Sequence, residues 1–103
     1  RKKDVILSGG YTVYPPELEA VLSQHPDVAD AAVVGLADER DGEVPGAVVV
    51  PAEGRTVDPD EVRAWVADRL ADYKAPRLVV VADDLPRTGT RKVKRRELLP
   101  LFD

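Results

Sequence analysis

Residues Val28 to Leu36 form a β-branched and apolar run that includes Val28, Ala31, Ala32, Val33 and Val34. Such a run reads as a largely buried strand. A polar turn, Asp38-Glu39-Arg40-Asp41-Gly42-Glu43, separates it from a second apolar strand at Gly46 to Val50. Two strands joined this way pair as a hairpin. The segments on either side must then supply the layers that cover it.

Both flanks open helices with proline. Pro15-Pro16 starts the first, because proline suits the first helical turn. Leu18, Val21 and Leu22 give it a buried stripe at i, i+3, i+4 spacing. Glu17 and Glu19 lie in its first turn, where carboxylates suit the helix dipole. His25-Pro26-Asp27 ends it, and His25 reads as a surface residue at the helix end because no acid or nucleophile accompanies it in sequence. The second helix starts at Asp58-Pro59-Asp60-Glu61. Asp58 is the expected N-cap, and Glu61 completes a capping-box spacing. Val62, Trp65, Val66 and Leu70 form its apolar face, with Trp65 read as core, and the spacing predicts an end near Ala71-Asp72.

Val5-Ile6-Leu7-Ser8 and Tyr11-Thr12-Val13-Tyr14 are strand-like and flank Gly9-Gly10, which predicts a small hairpin. Tyr73-Lys74-Ala75-Pro76 is a connector, since the residue before proline avoids the helix. Leu78 to Ala82 is a third strand. Residues 87–96 hold six cations, Arg87, Arg91, Lys92, Lys94, Arg95 and Arg96. The first half of that stretch is a turn, with Pro86, Thr88, Gly89 and Thr90 disfavouring regular structure. The second half reads as a short helix with Leu98 and Leu99 on its buried side.

The expected fold is therefore α+β. A small three-stranded sheet is covered by two helices, preceded by a small β-hairpin and followed by a mobile basic loop and a short C-terminal helix. With 103 residues, the chain fits one small domain.

Composition removes several function classes. There are no cysteines and one histidine, so a disulfide framework, a thiolate metal site and a histidine metal cluster are all excluded. No apolar run approaches the roughly 18 residues of a membrane helix, and no signal peptide is visible, which fits a cytoplasmic protein. The net charge of −4 argues against bulk electrostatic binding of nucleic acid, although both ends of the chain are basic and the middle is acidic. Arg1-Lys2-Lys3-Asp4 runs straight into a strand with no initiator methionine, as expected of a piece of a longer protein whose remainder lies N-terminal.

Three features do not look like scaffold: Arg1-Lys2-Lys3-Asp4 ahead of Ser8-Gly9-Gly10; Tyr14-Pro15-Pro16-Glu17-Leu18-Glu19; and Leu85-Pro86-Arg87-Thr88 with Lys92 four residues on. In this order and at these separations, the chain resembles the C-terminal domain of the adenylate-forming enzymes. That superfamily comprises acyl-CoA synthetases, firefly luciferases and the adenylation domains of peptide synthetases. The resemblance runs from Arg1 to about Leu99. Arg1 to Glu19, Val33-Val34-Gly35-Leu36-Ala37-Asp38 and Tyr73-Lys74-Ala75-Pro76 are most similar to the CoA ligases.

The resemblance implies a two-step reaction in which ATP and a carboxylic acid give an acyl-adenylate and pyrophosphate, and CoA then displaces AMP. It implies a large N-terminal domain that holds the ATP phosphate loop, the Mg²⁺ ligands and the acyl pocket. Residues 1–4 match a hinge, and 5–103 match a mobile lid that rotates between the two steps. Lys92 matches the lysine of adenylation and would contact the nucleotide, Lys3 matches the hinge position, and Arg1 matches an arginine at the nucleotide ribose. Gly9, Gly10 and Tyr11 match the segment that lines the pantetheine tunnel. Lys74 and Arg77 flank the position where relatives place cations on the CoA phosphates. Arg91 stands where many relatives have glycine, and Ala75 where some have arginine. Arg87, Arg95 and Arg96 read as a solvated face. Two alternatives stay open: transfer of the acyl group to a carrier-protein phosphopantetheine instead of CoA, and a nucleic-acid-binding module that uses the basic 87–96 run.

Overall fold

In the computed structural model, residues 5–70, 74–86 and 94–102 are described. The order is β1 (Ile6–Ser8), β2 (Tyr11–Val13), α1 (Pro15–Leu22), β3 (Val28–Asp38), β4 (Gly42–Pro51), α2 (Pro59–Ala67), β5 (Leu78–Val81) and a C-terminal 3₁₀ helix (Arg95–Phe102). The α+β class expected from the sequence is the class observed.

β4 is the centre of the sheet. β3 pairs antiparallel along its whole length, from Val28 opposite Pro51 to Asp38 opposite Gly42. Both strands outrun the apolar residues that predict them, because the ladder continues through polar residues that need no burial. Only Glu39, Arg40 and Asp41 remain as the loop. Asp38 Oδ2 accepts from Arg40 N at 3.1 Å and from Asp41 N at 2.8 Å, and Gly42 takes φ +82°. That is a three-residue hairpin connection with glycine in the left-handed position.

On the opposite edge of β4, β5 pairs parallel to Gly46–Val49 and β1 pairs antiparallel through Ser8 and Gly42. The expected three strands, β3, β4 and β5, are thus paired through β4, and the β1–β2 hairpin is joined to them rather than standing apart, giving five strands. Within that hairpin Gly9 has φ +58° and Gly10 φ +87°. Two consecutive positive φ values define the type I′ turn whose twist matches a two-residue hairpin.

Alternation along β3 and β4 splits the core into two layers. Ala31, Val33, Ala47 and Val49 face α1 and α2, where they meet Leu18, Leu22, Val62 and Val66. Ala32, Val34 and Val48 face the other way and meet Leu85 and Leu98. The chain therefore has three layers: the two expected helices on one face and the C-terminal 3₁₀ helix on the other. Burying a leucine such as Leu18 or Leu98 contributes about 1.5–3 kcal/mol, so the 3₁₀ helix is docked by its Leu98. Leu99, expected beside Leu98 on the buried side, is instead 41% exposed. The tighter three-residue turn swings it outward.

Three further expectations are corrected. His25 is not a surface residue; it is 4% exposed. Its Nδ1 accepts from Asp27 N at 3.1 Å, so the ring proton sits on Nε2, which donates to Glu61 Oε1 at 2.9 Å. The ring also packs edge-on against Trp65, with centroids 5.0 Å apart. Asp58 caps α2 as expected, accepting from Asp60 N at 3.0 Å, but Glu61 serves His25 instead of closing a capping box. α2 ends at Ala67, earlier than predicted, where Asp68 closes it. Trp65 packs against the core as expected, with the Arg69 guanidinium carbon 3.7 Å from its ring centroid.

Candidate functional site

The type I′ turn brings Gly9 close to the β3–β4 loop. Gly9 N donates to Asp41 O at 3.0 Å, and a Cβ on Gly9 would lie 3.4 Å from Asp41 Oδ1. Asp41 also reaches the connector ahead of β5, where its Oδ2 lies 3.2 Å from Arg77 Nη2. Arg77 itself is fixed by its backbone, with its N–H donating to Pro45 O at 2.7 Å and its carbonyl accepting from Arg63 Nη1 at 3.0 Å. Between these segments lies a concavity of about 220 Å³ lined by Ser8, Gly9, Tyr11, Asp41, Pro45, Ala75 and Arg77.

Three of the residues singled out by resemblance for CoA, Gly9, Tyr11 and Arg77, therefore line one hollow. Gly10 is exposed in the same turn but does not line it. Lys74 is turned elsewhere, with its Nζ 3.0 Å from Glu17 Oε1 at the start of α1. Arg1, Lys3 and Lys92 lie outside the described residues. Among the described residues no group of His, Asp and Glu is placed to hold a metal ion.

Sequence spacing misses Asp41 as the organiser of this hollow. It holds the glycine turn through its carbonyl and Arg77 through its carboxylate, over separations of 32 and 36 residues. Its only sequence signal is membership of a polar turn.

A second set of contacts lies at the outer edge of β3. Glu19 Oε2, from α1, accepts from Val33 N at 2.9 Å and from Arg95 Nη2 at 2.7 Å, and Arg95 Nε donates to Val33 O at 3.1 Å. Arg95 is thus half-buried rather than part of a solvated face.

The model of the AMP-binding enzyme C-terminal domain matches residues 17–92, and the chain belongs to that family. It is 50% identical over 101 residues to an indoleacetate–CoA ligase of Aromatoleum aromaticum, covering 98% of this chain and 20% of that protein. Among solved structures it is similar to an amide bond synthetase from Marinactinospora thermotolerans, with TM-score 0.92 and 40% identity over 99% of this chain and 21% of that one. It is also similar to the o-succinylbenzoate CoA synthetase of Bacillus subtilis, solved with its acyl-adenylate intermediate, with TM-score 0.88 and 42% identity over 95% of this chain and 20% of that one. The chain spans about a fifth of the length of the proteins it matches. No helix among its described residues is long and apolar enough to cross a membrane.

Proposed function

We propose that this chain is the mobile lid of an AMP-forming carboxylic acid:CoA ligase. It acts with an N-terminal domain that binds ATP, Mg²⁺ and the acid. The observation that carries this reading is the shared hollow of Gly9, Tyr11 and Arg77. A side-chain-free turn permits close approach of a narrow pantetheine arm. A guanidinium at the far side suits a CoA phosphate, which accepts paired N–H donors well. Lys74, three residues before Arg77, would have to leave its pairing with Glu17 to bring a second cation to the nucleotide end.

Lys92 carries the first half-reaction in this proposal. Its ammonium bridges the α-phosphate of ATP and the substrate carboxylate, two anions that must approach for in-line attack. A positioned cation offsets their repulsion and stabilises the transition state, an effect worth about 10²–10³ in rate for a single preorganised donor. Arg1 contacts the ribose. Lys3 absorbs the backbone torsion that swings the lid, so that Lys92 leaves the site and the Gly9-Gly10 turn enters it for thioester formation.

The test uses the full-length enzyme. Lys92→Ala should slow acid-dependent pyrophosphate release about 10²–10³-fold and spare thioester formation from a supplied acyl-adenylate. Equal loss of both half-reactions would contradict the assignment. Lys3→Pro should do the reverse. A second reading, with an acceptor other than CoA, is favoured by the likeness to an amide bond synthetase. Offering the enzyme free CoA, a holo-carrier protein or an amine separates the two.

A further inference from the structure

β3 is the outer strand of the sheet on its side, and an outer strand carries backbone groups that no neighbour satisfies. Val33 sits opposite Ala47. Its N–H and C=O both turn away from β4, as one residue in two does in an antiparallel pair. Glu19 accepts from that N–H, and Arg95 donates to that carbonyl. The two side chains then close on each other at 2.7 Å. Glu19 comes from the α1 face and Arg95 from the 3₁₀-helix face, so the pair wraps the edge of the sheet and ties its outer layers together. Only 19% of the Glu19 side chain and 29% of the Arg95 side chain is exposed, so water screens the pair less than it would a surface ion pair.

The location matters more than the bond count. Arg95 is three residues beyond Lys92 in the chain. One residue before it, Lys94 N donates to Pro86 O at 2.8 Å, so the two chain ends flanking residues 87–93 are held together. On its far side Leu98 is fully buried. Arg95 is therefore the side chain that sets where the segment carrying Lys92 rejoins the rigid sheet. We infer that Glu19 and Arg95 are positioning residues for adenylation: their clamp on Val33 fixes the anchor from which Lys92 reaches the reacting anions. This rests on the assignment of Lys92 above.

As positioning residues, Glu19 and Arg95 should act on adenylation through Lys92. In the full-length enzyme Arg95→Met should slow acid-dependent pyrophosphate release about 10- to 100-fold, the scale of a small misplacement of a catalytic group. Thioester formation from supplied acyl-adenylate should stay within about 2-fold, since that step does not use Lys92. Glu19→Gln keeps an oxygen for Val33 N but loses the charge, and it carries the same test if Arg95→Met fails to fold. The decisive measurement is the double variant. Arg95→Met with Lys92→Ala should adenylate no more slowly than Lys92→Ala alone, because a positioning residue has nothing left to position. Additive losses, or equal loss in both half-reactions, would overturn the positioning role while leaving Lys92 in place. Unimpaired adenylation by Lys92→Ala itself would overturn both.

Discussion

Arg77 and Asp41 face each other at 3.2 Å in the lining of the hollow beside the glycine turn. Asp41 is bound to that turn as well, so the guanidinium is held at a fixed offset from Gly9 before any ligand arrives. A charge-assisted bond from Arg77 to a phosphate is worth about 1.5–3 kcal/mol. Arg77→Ala should therefore raise the KM for CoA about 10- to 100-fold and leave pyrophosphate release unchanged. The backbone bond from Arg77 N to Pro45 O survives the substitution, so β5 keeps its place. A thioester step with unaltered CoA dependence would remove Arg77 from the acceptor site.

The turn itself separates backbone from side-chain requirements. Gly10 has φ +87° and open space within 4 Å of where a Cβ would stand, so Gly10→Ala meets conformational strain alone, about 1–2 kcal/mol. Gly10→Asn relieves much of that strain, because asparagine tolerates the left-handed region. If the turn lines a pantetheine path, both variants should slow thioester formation with adenylation intact, and the better-folded Asn variant should not recover the rate. Recovery with Asn would reduce the glycine to a turn former.

His25 joins the end of α1 to the start of α2. His25→Ala removes a buried ring, its bond to Glu61 and its acceptor for Asp27 N. Cavity and lost hydrogen bonds together should cost about 2–4 kcal/mol in urea unfolding. Glu61→Ala should cost less, since Glu61 is 54% exposed and water replaces it. Equal losses for the two would mean that the ring's packing on Trp65 contributes little.

Gly46 in β4 lies beneath Phe102 of the 3₁₀ helix. An added Cβ would lie 2.6 Å from Leu36 Cδ1 and 3.0 Å from Phe102 Cε1. Gly46→Ala should therefore destabilise by about 1–3 kcal/mol through overpacking. Phe102→Leu in the same chain should recover part of that loss, and a purely additive double variant would show that Phe102 is not the obstacle.

Much of this architecture follows from residues that neighbour one another in sequence. Asp58-Pro59 announces a capped helix, Gly9-Gly10 a tight hairpin, and the valine-rich runs their strands, because each rests on physics acting within a few residues. His25, Asp41 and Arg95 read as surface positions for the complementary reason. Their partners are 36, 36 and 76 residues away, where no local rule reaches. Apolar side chains predict burial and so predict strands that stop short, whereas the β3–β4 ladder runs on through polar pairs that are only backbone-bonded. Of the candidate site, Gly9, Tyr11 and Arg77 are legible through resemblance, and Asp41 between them is not.

The pairing of β1 and β5 on one edge of β4 makes that strand a ruler. Ser8 is registered to Gly42 and Arg77 to Pro45, three residues further along the same backbone. At about 3.3 Å per residue, the glycine turn and the arginine are spaced by roughly 10 Å of inextensible strand. A one-residue insertion between Gly42 and Pro45 would change that interval by a third and reverse which face each side chain meets. Relatives accepting differently shaped thiols or amines are thus expected to vary the side chains at either end of this interval and to keep its length.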